Sequence, residues 1–358
     1  MAMMRLNAKQ VLARHDKALT KKEDFRSLYD EAYEFALPQR NLYDGYYDGG
    51  VQGQKKMNRV FDSTAINSTQ RFANRMQSGI FPPQRKWCRL EPGSDIPQER
   101  KAEAQAALDA YGDKLFDTLK QSNFDIAIGE FLLDLCVGTA VMLVQPGDDT
   151  NPINFISVPQ FLVAFDEGAN GQVDNVYRRM KLKAESIQRQ WPDAEIPAEL
   201  KNLIDQKPTE EVELVEATIF DPERGDYCYH VIDKRSKTEL VYRRMDNTPW
   251  IVSRYAKVAG ETYGRGPLIT AMPDIKTLNK TLELVLKNAS LSISGVYTAA
   301  DDGVLNPNTV KIMPGAIIPV ARNGGPQGES LKPLPRAGDF NVSQIIMDDL
   351  RTNIKRTL

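Results

Sequence analysis

Residues 274 to 293 constrain the fold most strongly, because three different stripes of side chains run along one predicted helix. The apolar stripe recurs every three or four residues and comprises Ile275, Leu278, Leu282, Val285, Leu286, Ala289 and Ile293. A charged stripe comprises Lys276, Lys280, Glu283 and Lys287, and a third stripe comprises Thr277, Thr281, Leu284 and Asn288. The pattern predicts a helix with an apolar neighbour on one side and water, a polyanion or another subunit on the others.

The stretch before this helix, "ETYGRGPLI" at 261–269, contains two glycines that invite comparison with a phosphate-binding loop. Gly264 and Gly266 fit the first two positions of a dinucleotide-binding G-x-G-x-x-G, but Ile269 occupies the third, and no G-K-[ST] follows. We therefore interpret the turn as structural: the glycines supply unusual backbone angles and Pro267 begins a helix. The residues of this turn are Tyr263, Gly264, Arg265, Gly266 and Pro267. A phosphate loop remains the alternative.

The rest of the chain predicts a helical region up to about residue 138, followed by a β-rich region. Apolar periodicity and capping residues predict helices at 7–37, 62–77, 97–120 and 124–137. Strands are predicted at 140–146, in a hairpin over 161–182, and at 211–220, 226–233, 237–244 and 250–255, with a helical insertion at 184–205. No repeat of 20 to 50 residues is present.

Packing expectations follow from the same patterns. Gly79 and Gly138 stand where helices should end, and Phe81 and Trp87 should anchor the proline-containing segment after Gly79 to the core. The helix at 97–120 has a predicted buried stripe of Leu108, Tyr111, Leu115, Phe116 and Leu119.

Charge is nearly balanced, with 46 basic and 48 acidic residues, which argues against a tight grip on DNA through bulk electrostatics. The balance is uneven along the chain, because Asp62 is the only acidic residue that accompanies the cations of the segment 51–90. These cations are Lys55, Lys56, Arg59, Arg71, Arg75, Arg85, Lys86 and Arg89. The segment could contact phosphates or an acidic protein surface, or it could be a solvated helix face with its loops.

Catalytic and metal-binding motifs are not found in the sequence. The two histidines and three cysteines form no zinc spacing, so we expect no metal, no cofactor and no catalytic residue. His230 alternates like a buried strand residue, and Cys88, Cys136 and Cys228 are interpreted as small buried apolar residues. No apolar run is long enough to span a membrane and no secretory signal is evident, which favours a cytoplasmic protein without a membrane partner.

After Ser294 come about forty residues rich in glycine and proline, which predict a small β element with long turns. A helix then returns, with an apolar stripe of Val342, Ile346, Leu350, Ile354 and Leu358. Because that helix ends without a capping glycine or a polar tail, we interpret the chain as truncated.

Four blocks give the chain a family resemblance. They are "TQRFANRMQSGIFPPQRKWCRL", "GEFLLDLCVGTAVMLVQP", "VPQFLVAFDEGANGQVDNVYRR" and "TYGRGPLITAMPDIKTLNK". In this order they resemble successive blocks of the head-to-tail connecting, or portal, proteins of short-tailed bacteriophages, and together they span most of the chain. No single block is diagnostic, but the ordered set is specific.

The resemblance implies an α+β fold: a wing of helices and antiparallel strands, a stem of long helices and a small β-containing clip, assembled as a ring. Residues 1–264 would form the wing and hub, 265–294 the first stem helix, 295–338 the clip and 339–358 the second stem helix. Family members continue into further wing and crown segments that this chain lacks.

The implied function is that of a portal without catalytic activity, which conducts double-stranded DNA through one vertex of the virion capsid after assembly in the host cytoplasm. The implied partners are further copies in a dodecamer, the terminase motor, a tail adaptor, scaffold and capsid proteins. Lys276, Lys280, Glu283 and Lys287 are then candidates for contact with DNA or the adjacent subunit. The alternatives are a nucleotide-binding α+β enzyme and a monomeric adaptor that binds proteins through the Tyr/Gly-rich loop at 41–58.

Overall fold

The chain divides into two units in a computed structural model, which describes residues 5–40, 57, 59–83, 85–148, 150–294, 297–299, 331–333 and 340–358. The first unit comprises Met1–Met272 with Ile354–Leu358, and the second comprises Pro273–Asn353. Most of the predicted clip and nearly all of the Tyr/Gly-rich loop lie outside the described residues. The described part is a mixture of helices and antiparallel sheets, as expected for an α+β fold.

In the first half of unit 1, the described residues form five α-helices. They are α1 (Ala8–Glu23), α2 (Arg26–Ala36), α3 (Thr64–Ile80), α4 (Lys101–Gln121) and α5 (Phe124–Val137). A capping box begins α1, where the Asn7 side chain accepts from the Gln10 backbone N–H at 2.9 Å and the Gln10 side chain accepts from the Asn7 N–H at 3.0 Å. The single helix predicted over 7–37 is interrupted by a turn at Asp24 and Phe25, whose backbone stays in the right-handed region.

Two packing expectations for these helices are wrong. Gly79 does not end α3, which begins beside its Asp62 cap and continues through Gly79 to Ile80. Tyr111 does not belong to a buried stripe, because its side chain is 63% exposed and Phe116 is the only buried residue of α4. The amphipathic pattern of α4 predicted the position of the helix correctly. It did not predict that burial along α4 is confined to Phe116.

Two antiparallel sheets form the second half of unit 1. The smaller has the order β2-β1-β8, from β1 (Thr139–Pro146), β2 (Ile153–Val158) and β8 (Trp250–Arg254). The larger has the order β3-β4-β5-β6-β7, from β3 (Val163–Glu167), β4 (Val173–Lys183), β5 (Glu211–Asp221), β6 (Asp226–Asp233) and β7 (Thr238–Met245). Helices α6 (Ala184–Gln190) and α7 (Ala198–Gln206) are inserted between β4 and β5. The sequence did not predict β2.

The larger sheet is covered on both faces, which explains the apolar composition of its central strands. Alternation along β5 sends Leu214 toward α6 and α7 and sends Val215 toward α1. The smaller sheet packs its inner face against α3 and α5. The two sheets are joined where the indole N–H of Trp250 donates to the Thr218 hydroxyl at 3.0 Å.

Buried charges tie α1 and α5 to their neighbours. The Lys22 ammonium on α1 is buried and donates to the carbonyl oxygens of Gln160, Phe161 and Val163 at 2.7, 2.6 and 2.9 Å. These three bonds use all three donors of a protonated lysine, so they hold the turn between β2 and β3 against α1. On α5, the buried Asp134 accepts two bonds from Arg40, the shorter at 2.8 Å.

The second unit contains most of α8 (Pro267–Ser294), an antiparallel pair of β9 (Tyr297–Ala299) and β10 (Leu331–Pro333), and most of α9 (Phe340–Thr357). Exposure changes along the helices: Leu278 is buried, whereas Leu284 and Leu286 are more than half exposed. On α9, Ile345 is 69% exposed and Ile354 is fully buried. Among the described helices, none combines the length and the apolar composition needed to cross a membrane.

The three-carbonyl contact of Lys22 predicts a large difference between adjacent lysines. Burial lowers the pKa of Lys22 to about 7, so the charged form is measured below pH 7. There, Lys22→Met should lower the free energy of unfolding by about 3 kcal/mol, because three carbonyl groups, two of them buried, would lose a charged donor. Lys21→Met is the matched control: Lys21 is half exposed and pairs with Asp166, so its loss should cost less than about 1 kcal/mol. Urea denaturation of both variants measures the difference, and equal costs would contradict the role given to Lys22.

Candidate functional site

The turn before α8 is attached to the end of α5 and the start of β1 through its own backbone. The Gly266 N–H donates to the Val137 carbonyl at 2.9 Å, and the Gly264 N–H donates to the Thr139 hydroxyl at 2.8 Å. Between them, the Arg265 N–H donates to the Ala256 carbonyl at 2.9 Å. The three central residues of the turn are therefore fixed to three different places: the start of β1, an isolated bridge residue after β8, and the end of α5.

Backbone packs directly on backbone at this turn, and that is why glycines are required. A Cβ on Gly266 would collide with the Cys136 carbonyl oxygen, and one on Gly264 would lie 2.9 Å from the Arg254 Cβ. On the other side, a Cβ on Gly138 would collide with the Gly264 carbonyl oxygen. Neither Gly264 nor Gly266 has a positive φ, so the interpretation that they supply unusual backbone angles is wrong. The requirement is for close approach.

Aromatic side chains fill the space beneath the turn. The Tyr29 hydroxyl on α2 donates to the Gly264 carbonyl at 2.6 Å. Tyr263 is fully buried, and its ring centroid lies 4.3 Å from that of Phe165 and 5.3 Å from that of Phe25. Burial raises the pKa of the Tyr29 and Tyr263 hydroxyls well above the usual tyrosine value, so both stay neutral. The turn thus rests on a dry aromatic layer contributed by α2 and β3.

A cationic latch holds the chain that leads into the turn. The Arg254 guanidinium contacts the Glu167 carboxylate and donates to the Gly171 carbonyl at 2.8 Å and to the Thr262 carbonyl at 3.3 Å. Lys257 joins it, with its ammonium 2.9 Å from the Gly171 carbonyl and 3.0 Å from Glu167. The latch therefore connects the β3–β4 hairpin of the larger sheet, β8 of the smaller sheet and the segment before α8.

The geometry of the turn is unsuited to phosphate binding. A phosphate loop offers several unpaired backbone N–H groups to the anion. Here the N–H groups of residues 264, 265 and 266 are all engaged by protein acceptors. The Arg265 side chain is also occupied, since it forms two bonds with Glu261 at 2.7 and 2.8 Å and thereby lowers the pKa of that carboxyl. The turn serves to position α8.

The charged stripe of α8 is largely paired within itself. Glu283 accepts from Lys280 at 2.9 Å and from Lys287 at 2.5 Å, one helical turn away on either side. Hydrogen bonds from Lys287 and Lys280 lower the pKa of Glu283 to about 2. Both ammonium groups remain about two-thirds exposed, and Lys276 is exposed one turn earlier. The stripe presents a net positive charge with one carboxylate at its centre.

Phe81 and Trp87 lie in an aromatic cluster that joins the proline-containing segment to α4 and α5. Their ring centroids are 5.0 Å apart, and Trp87 also packs edge-on against Phe116 at 5.3 Å. Phe81 reaches Phe124 at 5.8 Å. Trp87 keeps 37% of its surface exposed, so the cluster lies at the margin of the core.

His230 and the cysteines show no arrangement typical of a catalytic or metal site among the described residues. His230 is buried, and its Nδ1 lies 2.6 Å from the Glu239 carboxylate on β7, a partner that no sequence motif indicated. Cys136 is buried but Cys88 is exposed, so the interpretation of all three cysteines as buried apolar residues is wrong for Cys88. Within the described ranges, no group of three or more potential metal ligands is present.

Sequence reasoning found the turn but missed the residues that hold it. Gly138 was predicted only to end α5, and Tyr29 fell inside the helix predicted over 7–37 without any assigned role. Nothing in the sequence indicates the roles of Thr139 and Arg254. A single hydroxyl is too common to predict the Thr139 contact with Gly264, more than a hundred residues away. A single arginine is likewise too common to predict the contacts of Arg254 with three separate segments.

Comparisons with known proteins address the family. A family model described as "Bacteriophage head to tail connecting protein" matches residues 8–358. The chain is 24% identical over 288 residues to a "Probable portal protein" of Bordetella phage BPP-1, covering 75% of this chain and 50% of that protein. It is 22% identical over 245 residues to the "Portal protein" of Enterobacteria phage T3, covering 67% of this chain and 44% of that protein.

A third relative, the "Portal protein" of Escherichia phage T7, is 19% identical over 301 residues, covering 79% of this chain and 53% of that protein. The chain thus spans about half the length of these curated relatives. Among solved structures, a chain of the "Virion of native gene transfer agent (GTA) particle" matches 68% of this chain and 58% of that chain, with 13% identity and a TM-score of 0.35.

The close approach at the turn predicts opposite outcomes for two glycines. Gly266→Ala should lower the free energy of unfolding by about 3 kcal/mol, because the new methyl group would displace backbone. Gly79→Ala is the control: it lies inside α3 with open space around it and should raise stability by about 0.5 to 1 kcal/mol. Chemical denaturation measures both variants, and a neutral Gly266→Ala would refute the packing explanation.

Proposed function

The chain belongs to the family of bacteriophage head to tail connecting proteins, and we propose that it acts as a portal: a subunit of a ring at one capsid vertex through which double-stranded DNA is packaged and ejected. The family match over residues 8–358 carries this proposal. The structure supports the proposal, because hydrogen bonds and close backbone packing fix the first turn of α8, the proposed stem helix, within unit 1.

We assign the parts of a portal as follows. Residues 1–264 form the wing and hub, 265–294 the first stem helix, 295–338 the clip and 339–358 the second stem helix. The length of α8 supports the assignment, because its 28 residues extend about 42 Å. Its attachment supports it too, since a stem helix that carries load needs a fixed end, and Gly264, Gly266 and Tyr29 provide one.

In this proposal the partners are other copies of the chain in a twelve-membered ring, the number that the family resemblance implies. Terminase, tail adaptor, scaffold and capsid proteins are the further partners. The place of action is the capsid vertex of the virion, after assembly in the host cytoplasm. The protein has no catalytic role, and no cofactor is needed. The exposed apolar residues Leu284, Leu286 and Ile345 offer contact area to a neighbouring copy.

The charged stripe of α8 either faces the DNA channel or meets the adjacent subunit. Lys280 and Lys287 both pair with Glu283, so the surface is positive but its lysines are partly neutralised. Such a surface suits weak contact with the phosphates of moving DNA. The same groups could bridge to carboxylates of a neighbouring copy. Single losses are tolerated in both cases, because an exposed ion pair contributes less than about 1 kcal/mol.

The proposal predicts the oligomeric state. The full-length protein should form closed head-to-tail rings, because α8 and α9 expose several faces that need neighbours and a heterologous contact closes on itself only in a ring. Native mass spectrometry and sedimentation velocity at micromolar concentrations measure this. A single monomeric species across the concentration range would contradict the proposal.

A second prediction concerns the stripe. Replacing Lys276, Lys280 and Lys287 together with Glu should leave the melting temperature nearly unchanged but impair DNA packaging or genome retention. The matched control replaces three exposed cations of the α6–α7 region, Lys183, Arg189 and Lys201, with Glu and should package normally. Normal packaging by the α8 variant would refute the functional role, and a map of the ring with these lysines on its outer wall would refute the channel position.

A further inference from the structure

The cations of the segment 51–90 are not equivalent once the structure is known. Arg59 pairs with Glu34 at 3.1 Å, Lys86 pairs with Asp113, and Arg89 pairs with Asp109 at 3.0 Å. These three cations therefore hold the protein's own elements together. Arg71, Arg75 and Arg85 differ, because within the part of the chain that the structure describes none of these side chains forms an ion pair or a hydrogen bond. Of the three, Arg71 and Arg75 lie together on α3.

Both arginines lie on the exposed face of α3. The inner face is fixed by the buried residues Ala65, Phe72 and Ala73, which leaves the rotation of the helix unambiguous. The outer residues recur at the three- and four-residue spacing of one helix face and are all exposed. They are Asn67, Gln70, Arg71, Asn74, Arg75 and Ser78, which we call the α3 arginine face.

Within the described residues, no carboxylate pairs with either arginine. The sequence contains no acidic residue between Asp62 and Glu91. On the neighbouring helices, Glu34 is engaged by Arg59, and Glu130 and Asp134 are engaged by Arg40 at 3.5 and 2.8 Å. The positive charge of the α3 arginine face is therefore directed to solvent and to whatever docks there.

The chemistry of the face fits phosphate better than protein. Arginine is always charged, and its planar donors match phosphate oxygens in pairs. The surrounding side chains are amides and a hydroxyl, which also donate to the phosphate backbone of nucleic acids. The face has no exposed aromatic or aliphatic side chain of the kind that anchors most protein interfaces.

We propose that the α3 arginine face binds the phosphate backbone of double-stranded DNA. Arg71 and Arg75 are one helical turn apart, a rise of about 6 Å, so each can contact a different phosphate. The inference deepens the proposed function, on which the choice of double-stranded DNA as the ligand rests, and it places a DNA contact on unit 1, separate from the α8 stripe. In a ring, many weak copies of the face would act together on one duplex.

The test is the salt dependence of DNA binding. Fluorescence anisotropy with a 30-bp duplex of arbitrary sequence, from about 50 to 200 mM NaCl, compares the protein with its Arg71→Gln/Arg75→Gln variant. Each phosphate contact contributes about 0.9 to the slope of log K against log salt, so the variant's slope should be shallower by about 1.8. Over this fourfold salt range the unmodified protein should lose about 12-fold more affinity than the variant.

Two further variants separate a site from a general charge effect. Lys183→Gln/Arg189→Gln removes two exposed cations from the α6 region and should leave the slope unchanged. Arg71→Lys/Arg75→Lys keeps the charge and should keep most of the slope, and it serves as the test if the glutamine variant does not fold. Thermal melting followed by circular dichroism establishes folding for each variant.

Three results would overturn the proposal: no duplex binding by the unmodified protein at 50 mM NaCl, equal slope changes in the α3 and α6 variants, or arginine dependence for polyglutamate but not for the duplex. The last result would assign the face to an acidic protein. Native mass spectrometry on the same samples keeps the two proposals distinct. Rings without arginine-dependent binding would refute only the α3 face, and a monomer with such binding would refute only the portal assignment.

Discussion

The contact of backbone on backbone at Gly138, Gly264 and Gly266 is the constraint on which the first unit depends. It brings the end of α5, the start of β1 and the start of α8 closer together than any side chain would allow. Once these backbones touch, their polar groups must pair with one another, and Thr139 and Val137 supply the acceptors. The position of the first turn of α8 within unit 1 is thereby set by main-chain hydrogen bonds and steric exclusion, which vary little with salt or pH.

The weaker contacts are arranged around this rigid centre. Arg254 and Lys257 add an ionic tie from the β3–β4 hairpin, and Lys22 adds another from α1 to the turn before β3. Burial gives these charges different weight: Lys22 is enclosed by carbonyl groups, whereas Lys257 is more than one-third exposed and is screened by solvent. Unit 1 therefore has a centre whose backbone packing admits no larger side chains, and a periphery whose exposed ion pairs are weakened by solvent.

Periodicity in the sequence predicted most helices and strands, because burial on one face leaves a local record. It failed where the decisive neighbour is distant. Tyr111 fits the apolar stripe of α4 by spacing, yet no described element of unit 1 covers it. The role of Gly264 and Gly266 was misread, because a glycine chosen for close approach looks identical in sequence to one chosen for φ. The sequence does not indicate the role of Lys22, since its three acceptors lie about 140 residues away along the chain.

Pairing, and not the number of charges, decides which cations of this chain are available to a partner. The net charge of −2 gives no hint of a polyanion site, and a count over 51–90 overstates one. In the structure, Arg59, Lys86 and Arg89 are engaged by carboxylates, and Glu283 braces two of the α8 lysines. Arg71 and Arg75 face solvent without an acidic neighbour on their own helix. A partner that brings phosphate to them displaces no ion pair among the described residues, whereas one that engages Lys280 or Lys287 must compete with Glu283. The two surfaces should therefore differ in salt sensitivity even where their nominal charge is similar.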